Sequence, residues 1–374
     1  MREVVIIGVG MHPFGAFPEK SSAEMGAYAV RQALKDAGLE WKGIPAIYAG
    51  SMHGGSAWGN NIVLEMGQTS IPVVNCENAC ASGVAALRLA YHAIAGGIYD
   101  VACAVGVEKR AKGFIPLTGH PEWKRRAGMV AGPAFYAQEA QRYLHEYGVT
   151  VEHLAKVAVK SHKNASLCPN AHYQQYGNMT VQDVLNSRLV ADPLRMYMVA
   201  PVSDGAACAI VCAQEIASRY SQRKPVTIKA VALSSGVYSG YTVYYPPGID
   251  ANVAKEAYEI AGLGPEDLDV VECQDAMASC EMMSAEALGI CKPGEYARLV
   301  DEGAVELGGR IPVNTDGGYL SRGNAIGATG LAGVAELVWQ LRGEAGPRQV
   351  KDARVGLNET FGDGPNCSVT ILSR

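Results

Sequence analysis

The sequence predicts an α/β protein built twice on one plan, and three observations carry that expectation. Apolar strand-like runs of four to six residues alternate with longer helical patterns. The order of these elements recurs in the second half of the chain. Composition agrees, with 48% hydrophobic, 18% charged and 7% aromatic residues and 43 glycines, a mixture that suits helices packed closely on a buried sheet. At 374 residues the chain can form two domains or one large duplicated one.

Taken in order, a strand is expected at 4–7, a helix at 23–37 closed by Gly38, and strands at 47–49 and 71–74. Cys80 follows with an amphipathic run at 84–91, then strands at 100–105 and 201–212. The second half repeats the series. It has a strand at 226–228, a helix from 253 to Gly262, and strands at 270–272 and 311–314. A glycine-rich segment, 323–330, opens a helix at 331–341, and strands at 353–357 and 366–372 end the chain. The polar stretch 221–225 divides the halves into 1–225 and 226–374. The largest irregularity is an insertion at about 109–200, rich in Lys, Arg, His, Tyr and Pro. It reads as a loop excursion or cap over the site.

Several function classes fall away. A formal net charge of −5 argues against a nucleic-acid footprint. Ten cysteines among apolar neighbours suggest reduced core thiols in a cytoplasmic protein, without zinc spacing. The apolar run at 4–8 is too short for a signal peptide, and no stretch is long enough to span a membrane. In Gly8-Val9-Gly10 the third glycine of a dinucleotide fingerprint would fall on Pro13, and no phosphate-binding Walker sequence is present. No metal or nucleotide cofactor is expected.

Cys80 is the residue that points to chemistry. It lies in Glu77-Asn78-Ala79-Cys80-Ala81-Ser82-Gly83, between a strand and the start of a helix. Backbone N–H groups at a helix start lack intrahelical partners and carry the positive end of the macrodipole. That setting favours thiolate, which is the nucleophilic form. The small neighbours let an acyl group approach, and free N–H groups can hold an oxyanion.

Four segments together resemble the thiolase superfamily over the whole chain: Asn78-Ala79-Cys80-Ala81-Ser82-Gly83, Pro201-Val202-Ser203-Asp204-Gly205-Ala206-Ala207, Val313-Asn314-Thr315-Asp316-Gly317-Gly318, and residues 323–330. The flavour is that of the sterol-carrier-protein branch. The resemblance implies a five-layered α-β-α-β-α fold of two similar halves, working as a homodimer core. It implies Cys80 as acyl carrier and coenzyme A as co-substrate. Some relatives of this type work with a small, separately encoded zinc-ribbon/OB-fold partner.

The departures bear on proton chemistry. The family's Gly-His-Pro reads Gly323-Asn324-Ala325, and Asn324 can donate to an oxyanion but cannot act as a base near neutral pH. The Asn-Glu-Ala-Phe or His-Asp-Cys-Phe box reads Gln274-Asp275-Ala276-Met277, with Gln274 suited to hold a water. The C-terminal Cys-x-Gly region reads Asn358-Glu359-Thr360-Phe361-Gly362-Asp363-Gly364, where Gly364 N–H can serve an oxyanion hole. Glu359 is the leading substitute base, with a carboxyl raised by partial desolvation. His53, Tyr319 and Tyr241 are lesser candidates. Arg125, Arg126 and Ser321 are assigned to coenzyme A.

The implied reaction is thiolytic cleavage of a β-keto acyl-CoA through an acyl-Cys80 intermediate. The basic and aromatic insertion suits an aromatic, carboxylated substrate, and the resemblance, to relatives that lack the usual histidine, implies a dicarboxylic one such as benzoylsuccinyl-CoA. The alternatives are an aldolase of the same fold acting on a β-hydroxyacyl-CoA, and a non-catalytic acyl-CoA-binding scaffold.

Overall fold

Strand β1 (Val4–Gly15) leads into α1 (Ser22–Ala37). The boundaries of α1 are written in the sequence. Ser21 and Glu24 form a reciprocal capping box, Ser21 N–H donating to Glu24 at 2.7 Å, and Gly38 closes the helix at φ 71°. Next come β2 (Ile47–Gly50), α2 (Trp58–Met66), β3 (Val73–Cys76), α3 (Ser82–Ala95) and β4 (Val101–Glu108). The chain is seen in a computed structural model that describes residues 1–110, 122–236, 248–362 and 366–374.

The stretch expected as a loop excursion is mainly helical instead. It carries α4 (Glu122–Arg126), α5 (Gly132–Tyr147), α6 (Val151–Ser166) and α7 (Val181–Asn186), then a hairpin of β5 (Leu189–Ala191) and β6 (Leu194–Arg195). Thr150 caps α6, and Leu154, Ala155, Val157 and Ala158 give it a buried face. That face joins a core shared with other residues of the insertion, such as Tyr143 and Leu194, and with the second half, so the insertion is anchored by apolar packing.

Strand β7 (Asp204–Ala213) and the short α8 (Ala217–Tyr220) follow. Then come β8 (Val226–Ser235), α9 (Ile249–Ala261), β9 (Val270–Glu272), α10 (Ala278–Ala287) and α11 (Tyr296–Asp301). Last are α12 (Gly318–Ser321), α13 (Ile326–Arg342), β10 (Val355–Gly362) and β11 (Asn366–Ser373).

Nine strands are hydrogen-bonded in the order β3-β2-β4-β7-β1-β8-β11-β10-β9. Read outward from the β1–β8 seam, β1-β7-β4-β2-β3 is matched by β8-β11-β10-β9 and then Val313, which bridges Val271 in parallel. Only Val5–Thr227 and Ile6–Val226 pair across the seam. The two arms therefore close over a central layer of α3 and α13, with α1 and α2 outside one arm and α9 and α10 outside the other. This is the five-layered α-β-α-β-α arrangement. Strand β3 is a free edge, and Val74 on it is exposed.

All of α13 except Trp339 and Arg342 is buried. Leu331, Val334, Leu337 and Leu341 each contribute on the order of 2 kcal/mol by leaving water. The helix begins before residue 331 because its early glycines face backbone. A Cβ on Gly83 would lie 2.6 Å from the Gly327 carbonyl oxygen, and one on Gly106 only 2.4 Å from it. Close approach of α3, β4 and α13 requires glycine there. Among the described residues, no helix is long and apolar enough to cross a membrane.

Candidate active site

Cys80 sits in a 3₁₀ turn, Ala79–Ala81, between β3 and α3, and is half-buried. Ala79 adopts φ 48°, a left-handed conformation that costs a non-glycine residue about 1 kcal/mol or more. Side chains on both sides hold it. Glu77 accepts the Ala79 N–H at 2.6 Å, while Ser82 Oγ accepts from Asn78 N–H at 2.8 Å and donates to the Ala79 carbonyl at 2.6 Å. The turn packs against the start of α13 and the end of β10, where a Cβ on Gly362 would lie 2.8 Å from the Asn78 carbonyl oxygen. Two helix N-termini and two strand ends thus meet at Cys80.

Asn324 lies at the entry to α13. Its N–H donates to the Pro201 carbonyl and its own carbonyl accepts from Ser203 N–H, both at 3.1 Å. Thr329 Oγ1 donates to Asn324 Oδ1 at 3.3 Å, which engages the amide oxygen and leaves the two Nδ2 donors.

Glu359 does not fit the role of base. Along β10, Thr360 turns toward α13 and accepts from the Tyr319 hydroxyl at 3.2 Å. Its neighbour Glu359 turns to the opposite, outer face. There it accepts from Gln274 N–H at 2.9 Å and from the Cys367 thiol at 3.6 Å. Burial first, and then the Asp250 carboxylate, push the Glu359 carboxyl well above the usual range. It is a buried, engaged group on the far face of β10 and not a free carboxylate aimed at Cys80. Burial also raises Asp250 to about 6. Asp250, Glu359 and Cys367 offer ligand atoms within 4.8 Å of one another, a spacing a metal ion could use. Burial favours their neutral, mutually hydrogen-bonded forms. Gln274 lines a small cavity of about 50 Å³ beside Asp250, Ser284 and Phe361, and its Oε1 has no partner among the described residues. A water there would satisfy it.

Ser321 is also corrected. It is fully buried, and its hydroxyl meets His162 Nδ1 at 2.8 Å, so it cannot reach coenzyme A. His162 in turn faces the Tyr197 carbonyl at 3.1 Å, and burial lowers its pKa to about 4. The unfolded chain therefore takes up a proton below about pH 6.5 that the native chain refuses until near 4. Stability is full above the unfolded value and falls across that window. Urea unfolding at pH 7 and pH 4.5 is expected to show that His162→Gln removes roughly 2 to 3 kcal/mol of the acid-induced loss.

Arg125 and Arg126 are exposed on α4 and pair with Glu122 at 3.6 and 3.3 Å. Gly364 and Tyr241 lie outside the described residues. His53 is exposed, with Nδ1 3.4 Å from Glu108.

Two groups gain importance that the sequence did not assign, Glu108 and Arg110, and Tyr319, a lesser candidate there, joins them. Glu108, fully buried at the end of β4, accepts N–H groups from Met52 at 3.0 Å, His53 at 3.1 Å and Gly327 at 3.1 Å. It ties the loop after β2 to the start of α13. The signal was an acid closing an otherwise apolar strand. Arg110 follows it, with its N–H held by Asp204 at 3.0 Å. Its Nη1 is buried without a partner among the described residues, and Glu108 and Cys80 are its charged neighbours. Tyr319 is buried beside Cys80, and burial first, then the charges of Cys80 and Glu359, hold its phenol well above its ordinary pKa. It is a donor at any physiological pH.

Comparison with known proteins agrees with this geometry. Residues 4–215 match the thiolase N-terminal domain model, and residues 250–374 match the thiolase C-terminal domain-like model. An acetyl-CoA acetyltransferase of Methanothermobacter thermautotrophicus is 40% identical across the whole of both chains. Sterol carrier protein 2 of Homo sapiens is 34% identical over 99% of this chain and 72% of its own length. The benzoylsuccinyl-CoA thiolase subunit BbsB of Thauera aromatica is 33% identical over 97% of this chain and 95% of its own. Among solved structures, an Ltp2-ChsH2(DUF35) aldolase aligns with a TM-score of 0.88 and 26% identity over 99% of this chain and 98% of its own. Human mitochondrial 3-ketoacyl-CoA thiolase shares the fold at a TM-score of 0.74 and 15% identity, over 100% and 98% of the two chains.

Proposed function

The chain belongs to the thiolase family and is a thiolase-type acyltransferase, and from that premise we propose that it cleaves a carboxylated β-keto acyl-CoA with coenzyme A through an acyl-Cys80 intermediate. The observation that carries the substrate class is Arg110. A guanidinium nitrogen buried without a partner beside the nucleophile is costly unless an anion completes it. An aromatic dicarboxylic thioester of the benzoylsuccinyl-CoA kind supplies that anion, and the likeness to BbsB supports it.

In this reading Cys80 attacks the keto carbon. The alkoxide is held by the N–H groups of Cys80 and Gly364, and carbon–carbon cleavage expels an acyl-CoA enolate. Its oxygen meets Asn324 Nδ2, and coenzyme A then takes the acyl group. The solvent-exposed Arg125 and Arg126 would leave their surface pairs with Glu122 to meet its phosphates. The halves 1–225 and 226–374 act as one unit in the cytoplasm. A second copy is proposed to pair along the exposed β3 edge. A small zinc-ribbon/OB-fold partner is supported by one relative's naming as a subunit and another's two-part name.

The test is mass spectrometry of the Cys80 peptide after brief exposure to acetoacetyl-CoA and benzoylsuccinyl-CoA. An acyl mass discharged by coenzyme A is expected, and its absence with both thioesters would sink the thiolase reading. Arg110→Gln is expected to raise KM for benzoylsuccinyl-CoA about 10- to 100-fold, the worth of a charge-assisted hydrogen bond, with a much smaller effect for acetoacetyl-CoA.

The likeness to the aldolase, together with asparagine at position 324, favours a second reading. A β-hydroxyacyl-CoA would be split without acylation of Cys80. Product formation in the absence of coenzyme A, insensitive to Cys80→Ser, would select it.

A further inference from the structure

Strand register gathers ligand-type side chains on the outer face of the β10–β11 pair. Phe361 pairs with Cys367 and Glu359 with Val369, so Glu359 and Cys367 are diagonal neighbours on one face. Thr360, between Glu359 and Phe361, turns the other way, toward α13. Helix α9 packs over β11 and β8 and brings Asp250, in its first turn, to the same place. One carboxylate oxygen of Asp250, one of Glu359 and the Cys367 sulphur then lie within 4.8 Å of one another.

The protons of this cluster do not suffice for its acceptors. The Cys367 thiol has one proton and faces two carboxyl groups, Glu359 at 3.6 Å and Asp250. Glu359 Oε2 takes the Gln274 N–H at 2.9 Å. Asp250 Oδ1 and Gln274 Oε1 are buried without a partner among the described residues. Gln274 is only 3% exposed, and it shares with Asp250 the lining of the cavity of about 50 Å³. Glu139 and Ser284 line that cavity too, and among the described residues no Lys, Arg or His does. A buried pocket rich in acceptors and lacking a cation of its own is completed by one taken from outside.

We propose that Asp250, Glu359 and Cys367 bind a zinc ion, with Gln274 Oε1 as the fourth ligand. Three atoms no more than 4.8 Å apart share a centre at most about 2.8 Å from each, and shifts of under about 1 Å close this to the ~2.0–2.3 Å of zinc–oxygen and zinc–sulphur bonds. The thiolate selects a borderline metal over calcium or magnesium. Four protein donors with no open position describe a structural ion, consistent with its place on the face of β10 turned away from α13. As the metal–ligand bonds form, the Cys367 and carboxyl protons pass to solvent. The ion fastens the first turn of α9 to β10 and β11 and fixes Gln274 beside them. Its ligands come from three elements far apart in the chain, so no short cysteine spacing announces it in the sequence. The assignment does not depend on the acyl-Cys80 reading.

The experiment titrates chelator-stripped full-length protein with Co²⁺, whose thiolate complexes carry a sulphur-to-cobalt charge-transfer band, and with Zn²⁺ in urea unfolding. A stoichiometric cobalt complex with that band is expected, and Zn²⁺ at ~100 times its Kd is expected to raise the unfolding midpoint. Cys367→Ser should abolish the band. Asp250→Asn should weaken binding ~100-fold or more, since even the outer partners of metal ligands are worth about 10- to 100-fold. Cys80→Ser should keep both signals, which separates this site from the thiol at position 80. Wild type with neither a stoichiometric band nor a zinc-induced shift would overturn the assignment, as would a band that survives Cys367→Ser. If Cys367→Ser shows no unfolding transition of its own, Asp250→Asn decides, and an unchanged affinity there overturns the site.

Discussion

Cys80→Ser is expected to lower coenzyme A-dependent cleavage by ~10³-fold or more while leaving the unfolding midpoint nearly unchanged. The sulphur contributes little to the turn's architecture. The left-handed Ala79 is held by Glu77 and Ser82, and Asn78 packs on β10. What is lost is nucleophilicity. A thiol beside two helix N-termini reaches the thiolate readily, whereas a hydroxyl needs a strong base delivered to it. No such base is built into the Asn324 position. Initial rates with coenzyme A, set beside urea denaturation of the same preparation, check both halves of the expectation. A serine variant that keeps its rate would place the chemistry away from Cys80.

Lys160→Met should be the most damaging core substitution. Lys160 Nζ lies 2.6 Å from Glu281 and 2.8 Å from the Val313 carbonyl, and both side chains are almost fully buried. Glu281 also accepts from the Tyr296 hydroxyl at 2.9 Å and from Asn314 Nδ2 at 2.8 Å. Removing the cation strands a carboxylate in the interior, which costs about 3–5 kcal/mol. The double variant Lys160→Met with Glu281→Met is expected to lose less than the sum of the singles, because neither charge is then left alone. Urea unfolding of the four proteins measures this. Additive losses would mean that the pair is not coupled. The effect reaches the site as well. Asn314 Oδ1 holds Cys273 N–H at 2.9 Å, one residue before Gln274, so activity should weaken before global unfolding.

Local signals account for what was legible in the sequence. Gly38 closed α1 where the sequence placed its end, and the alternation of short strands and helices disclosed the repeated plan. Cys80 was found from its place between a strand and a helix. The errors share one cause, which is that a side chain's direction depends on partners far along the chain. Glu359 and Thr360 are neighbours in sequence, and one residue of strand register decides which of them faces α13. Ser321 is capped by His162, 159 positions away. The helices of the insertion went unread because basic and aromatic residues masked the small apolar faces of α5 and α6.

The contact of Gly83 and Gly106 with the Gly327 carbonyl is made by main chain alone. A joint without side chains has no rotamers to rearrange, so its spacing is set by atomic radii and peptide geometry. Elsewhere in a protein, two packed elements drift apart over evolutionary time as bulky residues are exchanged for smaller or larger ones. Here no such exchange is available. The Cys80 turn and the start of α13 are locked at a fixed gauge, and diversification is confined to the loops around them. One frame can thereby change substrates, and even the kind of bond it breaks, while its reaction centre stays where it was.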